Sequence, residues 1–279
     1  MSGLGKQQLL ALADRLSERD LEIIRTVDRF RLLQAEQLRS LYFHEISTPG
    51  GSARICRRAL ARLVDQRLLH RLSRRIGGVR AGSTGHIYTL TPAARRLLAY
   101  RNGNGLPSDR GVHEPGEGFV QHTLAIAELY VTLADAERFG RLQLARFDPE
   151  PDCWRGHAGA FATRAVLKPD AYVELAAGEY EHANFVEIDL ASEGRQALLR
   201  KLRAYLSYYR SGREQSAHGW FPRIVWITTT GSRAEVIEAL IRTLPSTTRS
   251  LFAVGLPGGA LDLLLGTAGQ APASEAANE

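Results

Sequence analysis

The sequence predicts an α+β chain of two domains, a small helical domain closed by a β-hairpin and then a larger α/β domain with a mixed sheet flanked by helices. Three observations predict it. Basic charge is concentrated at the start: residues 1–110 carry 20 Lys or Arg against 9 Asp or Glu, whereas the remainder carries 16 against 21. Residues 101–118 hold Asn, Gly, Pro and Asp with no periodic apolar pattern, as a linker does. Beyond that stretch, apolar runs of period two alternate with runs of helical period in the order α-β-β-β-α-β-α-β, which gives a sheet with helices packed on it. The expected organisation is therefore a basic helical domain over 1–100, a linker over 101–118, an α/β domain over 119–265 and a disordered tail over 266–279, rich in Ala, Gly and Pro.

Composition narrows the function classes. The chain has 279 residues, enough for two cores, and its apolar and charged fractions of 44% and 24% are those of a folded globular protein. The two cysteines, Cys56 and Cys153, fall in different expected domains without a nearby second thiol, which argues against a disulfide framework and against a zinc site. The N-terminus lacks a basic-then-apolar leader and no apolar run is long enough to span a bilayer, so a cytoplasmic protein with no membrane partner is expected. A net charge of +6 and a pI near 9.6 point to a polyanionic partner.

In the N-terminal part, Ser17 followed three residues later by Asp20 marks a helix start, and Leu21, Ile24 and Val27 continue the helical period to Phe30. A second helix runs over 34–43. The Thr48-Pro49-Gly50-Gly51 cluster breaks the chain, and a third helix begins at Ser52. There Ile55, Ala59 and Leu63 repeat every four residues as an apolar stripe, while Arg54, Arg58 and Arg62, joined by Arg57, form a cationic one. A hairpin follows, with a Gly-rich tip bearing Arg74, Arg75 and Arg80, and its second strand, 86–90, closes at Thr91-Pro92. Three helices and a basic-tipped hairpin is the order of a winged helix-turn-helix. Its third helix can enter a major groove while the wing reaches phosphates, so double-stranded DNA is the expected partner.

In the C-terminal part a long amphipathic helix over 119–139 carries His122 and Glu128, and a strand over 142–147 follows. After a Gly- and Pro-containing loop, two strands place Asp170, Tyr172 and Glu174, and then Glu187 and Asp189, on the faces opposite their apolar neighbours. A helix over 193–209 comes next, rich in Arg and Lys, with Lys201 on its Gly194-Ala197-Ala204 side. Asp170 and Glu187 on adjacent strands are spaced to share one divalent cation, Mg2+ or Mn2+, with Asp189 as a further oxygen ligand, a geometry suited to phosphodiester hydrolysis. The alternative for these carboxylates is the solvent-facing side of a half-buried sheet.

Pro169-Asp170, Glu187-Ile188-Asp189 and the preceding helix with Glu128 resemble the PD-(D/E)xK, or restriction-endonuclease-like, fold. That resemblance implies metal positions at Glu128, Asp170 and Glu187. Asp189 stands where that family has its Lys, and because some members carry the Lys on the following helix, Lys201 is the candidate for its role. Over nearly the whole chain, the winged-helix order, the helix with His122, Thr123, Leu124 and Glu128, the segments Pro169-Asp170 and Val186-Glu187-Ile188-Asp189, and Lys201-Leu202 with Tyr205-Leu206 are similar to the replication-relaxation family of plasmid and mobile-element proteins. This resemblance implies DNA binding linked to replication initiation, relaxation or mobilisation, alongside other replication or mobilisation proteins. Two further functions compete with it: an active metal-dependent endonuclease or nickase using Glu128, Asp170, Glu187 and Lys201, and a transcriptional regulator whose second domain senses a ligand or forms a homodimer.

Overall fold

The structure, a computed structural model, describes residues 5–46, 48–73, 85–103, 114–158 and 164–267. The chain divides into two compact units, Met1–Val131 and Thr132–Glu279.

The first unit contains α1 (Lys6–Ala13), α2 (Glu18–Phe30), β1 (Leu33–Gln34), α3 (Ala35–Tyr42), α4 (Pro49–Asp65), β2 (Leu69–Arg71), β3 (Ile87–Leu90), α5 (Pro92–Arg101) and the first part of α6 (Glu117–Arg138). β3 lies between β1 and β2 and is antiparallel to both. Ser17 caps α2 as expected: its hydroxyl accepts from the Asp20 amide at 3.2 Å and its own amide donates to the Asp20 carboxylate at 3.1 Å, so two helix-start donors are satisfied reciprocally. Thr91 caps α5, with Pro92 in the first turn where a missing N–H costs nothing. The core is made of Leu21, Ile24, Val27, Leu38, Leu60, Leu63 and Ile87, and Leu32 and Leu72 pack with Val120 and Leu124 of α6.

α4 starts at Pro49, three residues earlier than expected, and its buried stripe is Ser52, Cys56, Leu60 and Leu63. The expected apolar stripe is corrected at one end, because Ile55 is 38% exposed. The reason is chemical: small Ser52 and Cys56 take the inward positions, and Ser52 is satisfied there by donating its hydroxyl to the Phe43 carbonyl at 2.8 Å.

The second unit contains β4 (Gln143–Pro149), β5 (Arg155–Ala158), β6 (Arg164–Leu167), β7 (Ala171–Ala177), β8 (Tyr180–Asp189), α7 (Arg195–Arg210), α8 (Arg213–His218), β9 (Arg223–Thr228), α9 (Gly231–Ile241), α10 (Ser246–Arg249), β10 (Phe252–Gly255) and α11 (Ala260–Leu265). The main sheet has the order β10-β9-β8-β7-β4. β8, β9 and β10 run parallel, and β7 and β4 add on antiparallel, so the sheet is mixed. Gly178, at φ 59°, makes the β7–β8 turn, where a side chain would be strained. β5 and β6 pair as a separate two-stranded sheet within and beside the expected loop.

Period-two alternation sets what each face buries. Tyr172, Phe185, Ile224, Trp226 and Phe252 pack against Leu198, Leu202, Tyr205 and Leu206 of α7 and Ile237, Leu240 and Ile241 of α9. Glu187 and Asp189 follow Phe185 in alternation, opposite Trp226 and Thr228 of β9, so they share this helix-covered face. The alternative of a solvent-facing polar side is corrected here, since Glu187 is 1% and Asp189 5% exposed.

Candidate nucleic-acid interface and carboxylate centre

On α4, Arg54, Arg57 and Arg58 are exposed, Arg54 and Arg58 on the side away from Cys56 and Leu60 and Arg57 at the edge of that side. Among the described residues none of the three forms an ion pair. Some other arginines of this unit do, exposed Arg25 with Glu18 and Glu22 and half-buried Arg39 with Glu36, while exposed Arg19 and Arg101 form none among the described residues. Arg62 differs from its three neighbours. It pairs with Asp20, a buried carboxylate in the α2 capping box, at 2.5 Å, so its charge ties α4 to α2. Arg74, Arg75 and Arg80 lie outside the described residues. β2 and β3, the two strands leading to and from that segment, pair from Leu69 with Leu90 to Arg71 with Tyr88.

Glu128 is placed in the first unit, where its carboxylate accepts from the buried Gln37 amide at 2.9 Å; the same amide donates to the Leu124 carbonyl at 3.0 Å. In the second unit β8 and α7 bring Glu187 together with Lys201 and Tyr205. Lys201 and Tyr205, one helical turn apart on α7, present their polar ends to the same carboxylate. Lys201 Nζ donates to Glu187 Oε2 at 2.9 Å, and the Tyr205 hydroxyl donates to Oε1 at 2.6 Å. Asp170, at the entry to β7, is 6% exposed and accepts the Ile188 amide at 2.7 Å, tying β7 to β8 through a side chain.

Burial and the negative charge of Asp170 push the Glu187 carboxyl up to about 7, against the opposing pull of Lys201 and the Tyr205 hydroxyl. Burial disfavours the Lys201 ammonium, but the Glu187 and Asp170 charges outweigh it and raise its pKa. Burial and the adjacent Glu187 also raise the Tyr205 phenol well above its usual range.

Asp189 belongs to a different arrangement. Arg233 of α9 forks it, Nε at 2.6 Å and a terminal nitrogen at 2.8 Å, and Thr228 donates at 3.0 Å. Burial works against its charge, yet the bonds from Arg233 and Thr228 hold its pKa below the ordinary value. Arg233 also donates to the Glu193 carbonyl at 2.8 Å, pinning the turn that leads into α7.

The structure thus brings Asp170, Glu187 and Lys201 into one electrostatic cluster, gives Asp189 its own cation, and gives Glu128 a glutamine. Sequence reasoning missed Tyr205, Arg233 and Gln37 as partners. Tyr205 carried a signal, its spacing of four from Lys201; Arg233 and Gln37, 44 and 91 positions from the groups they hold, carried none.

A divalent cation needs carboxylate oxygens turned towards open coordination positions. In this arrangement both Glu187 oxygens hold donors, one of them an ammonium that would face the dication, and both Asp189 oxygens are held by Arg233. Among the described residues no group of three or more His, Cys, Asp or Glu is arranged to hold a metal ion. As bonded here, these residues do not fit Mg2+ or Mn2+. No helix among the described residues is long and apolar enough to cross a membrane.

Comparison with known proteins adds one finding. The model of a family described as replication-relaxation matches residues 24–224, a span that takes in α4, Asp170, Glu187, Asp189, Lys201 and Tyr205 but stops short of Arg233. No curated protein and no solved structure matches the chain.

Proposed function

Because the chain belongs to the replication-relaxation family, we propose that it acts on the DNA of a plasmid or other mobile element during replication or relaxation, gripping duplex DNA with its first unit. The succession α2, β1, α3, α4, β2, β3 reads as a winged helix-turn-helix, with α4 as the helix that enters the major groove and the β2–β3 hairpin as the wing. The observation that carries this reading is the set of exposed guanidinium groups on α4, Arg54, Arg57 and Arg58, which form no ion pair among the described residues. Left uncompensated on one helix face, such groups suit phosphate and base-edge contacts. Arg62 serves instead to hold α4 on α2.

A mobility-shift titration of the full chain at low salt tests this. Wild type retards duplex DNA, and R54Q/R57Q/R58Q weakens binding by about a hundredfold or more, each of the three lost contacts being worth about 1 kcal/mol or above. Equal retardation by wild type and the triple variant would refute the assignment of α4.

The second reading treats the second unit as PD-(D/E)xK-like and catalytic, through Asp170, Glu187 and Lys201. One observation favours it: Lys201, on the helix after the second carboxylate strand, reaches Glu187. It also requires Lys201 to leave that carboxylate before a cation arrives. Supercoiled plasmid incubated with Mg2+ or Mn2+ decides between the two. Conversion to open circle by wild type, lost in Asp170→Ala and Glu187→Ala, establishes catalysis; an unchanged supercoiled band with both metals and several plasmids leaves the binding reading alone.

A further inference from the structure

We infer that the outer face of α7 is a second contact for the sugar-phosphate backbone of duplex DNA, separate from α4. α7 carries Arg195, Arg200, Lys201, Arg203 and Arg210 and no acidic residue. Lys201 turns to Glu187, and Leu198, Leu202, Tyr205 and Leu206 face the sheet. At 100° per residue, Gln196, Arg200, Arg203, Ser207 and Arg210 fall within one narrow stripe on the opposite side. Arg200, Arg203 and Arg210 are exposed, and among the described residues none of them forms an ion pair.

Two features set this stripe apart from an ordinary solvated face. On other helices of this unit Arg138 and Arg242 pair with an acidic residue one turn away, Asp135 and Glu238, and exposed Arg213 and Arg249 donate to the backbone carbonyls of Gly156 and Leu244, whereas Arg200, Arg203 and Arg210 have neither kind of partner among the described residues. The part of the chain beyond residue 110 is also acidic on balance, 16 Lys or Arg against 21 Asp or Glu, so the stripe is a local reversal of sign. Attraction to the helix dipole accounts for Arg210 in the last turn but not for Arg200 or Arg203. From Arg200 to Arg210 the stripe covers about 15 Å of helix axis, over which one strand of B-form DNA presents about four phosphates. Exposed Gln196, one turn before Arg200, adds a neutral donor at the start of the stripe, while Ser207 is half-buried with its hydroxyl 3.4 Å from His157 Nε2. A polyanion with regularly spaced charges is the matching partner, and this assignment rests on the DNA-binding reading above.

The test is the salt dependence of binding by the full chain to a fluorescein-labelled random-sequence duplex. For R200Q/R203Q/R210Q the slope of log K against log salt becomes shallower than wild type by about 2.7, three phosphate contacts at about 0.9 each, and affinity at about 0.1 M salt drops at least tenfold. R200K/R203K/R210K keeps the wild-type slope, and both variants keep the wild-type melting temperature, which separates loss of charge from damage to the fold. A wild-type slope in the Gln variant, alongside a shallower one in R54Q/R57Q/R58Q, overturns the inference and leaves the α4 assignment standing. A loss of slope in the Lys variant overturns a charge-directed contact. No duplex binding by wild type at low salt overturns both readings at once.

Discussion

Glu187 shows how much a buried residue depends on its two neighbours. Taken from water without a partner, its carboxylate would cost several kcal/mol, and Lys201 and Tyr205 offset that cost by occupying both oxygens. The balance is incomplete, since the carboxyl sits at about 7 against an ordinary 4.5. Between those values the folded chain holds a proton that the unfolded chain has released. This group's stabilising contribution is therefore fully present below pH 4.5 and is lost as the pH rises through about 7, at about 1.4 kcal/mol per pH unit at most. Thermal melts across that interval should show wild type losing stability relative to Glu187→Gln, whose amide does not titrate; parallel curves would contradict the account. The carboxylates and Lys201 could be picked out from local strand alternation and helix spacing. What each carboxylate bonds to could not. Asp189 reads in sequence as a ligand beside Glu187, but Arg233, 44 residues on, takes both its oxygens, and only the packing of α9 on β8 and β9 brings that about.

Among the elements, α2 and α4 are coupled through Asp20. That carboxylate accepts the Ser17 amide at the start of α2 and also the Arg62 guanidinium from α4. Ser17→Ala removes one capping bond and should cost about 1 kcal/mol. Asp20→Ala removes the other half of the box and the Arg62 partner together, and urea unfolding should show it losing more than Ser17→Ala; an equal or smaller loss would mean that the Arg62 pair contributes nothing. The capping box was legible because its residues lie three apart. The inward stripe of α4 was less so, since Ser52 and Cys56 do not register as apolar while the outward Ile55 does. β1, β5 and β6 are two to four residues long, too short for period two to register, and α8, α10 and α11 have at most six residues each. The longer elements, α6, β7, β8, α7 and β9, all lie where periodicity puts them.

At the scale of the whole molecule, the partition of charge along the chain is the simplest sequence-level clue to function, and it agrees with where the uncompensated arginines of α4 lie. A basic first unit and an on-balance acidic second part would lead long-range attraction to duplex DNA through the first. The family match runs across both units, so replication or relaxation is a property to seek in the full chain. The central claim, that α4 is the face applied to DNA, is tested most directly by arginine-selective chemical modification of the full chain with and without saturating duplex, read by peptide mass spectrometry. The account predicts that duplex shields Arg54, Arg57 and Arg58 while Arg25 and Arg39, paired with acidic neighbours, react alike in both samples. Equal modification of the three α4 arginines in the presence of bound duplex would contradict it.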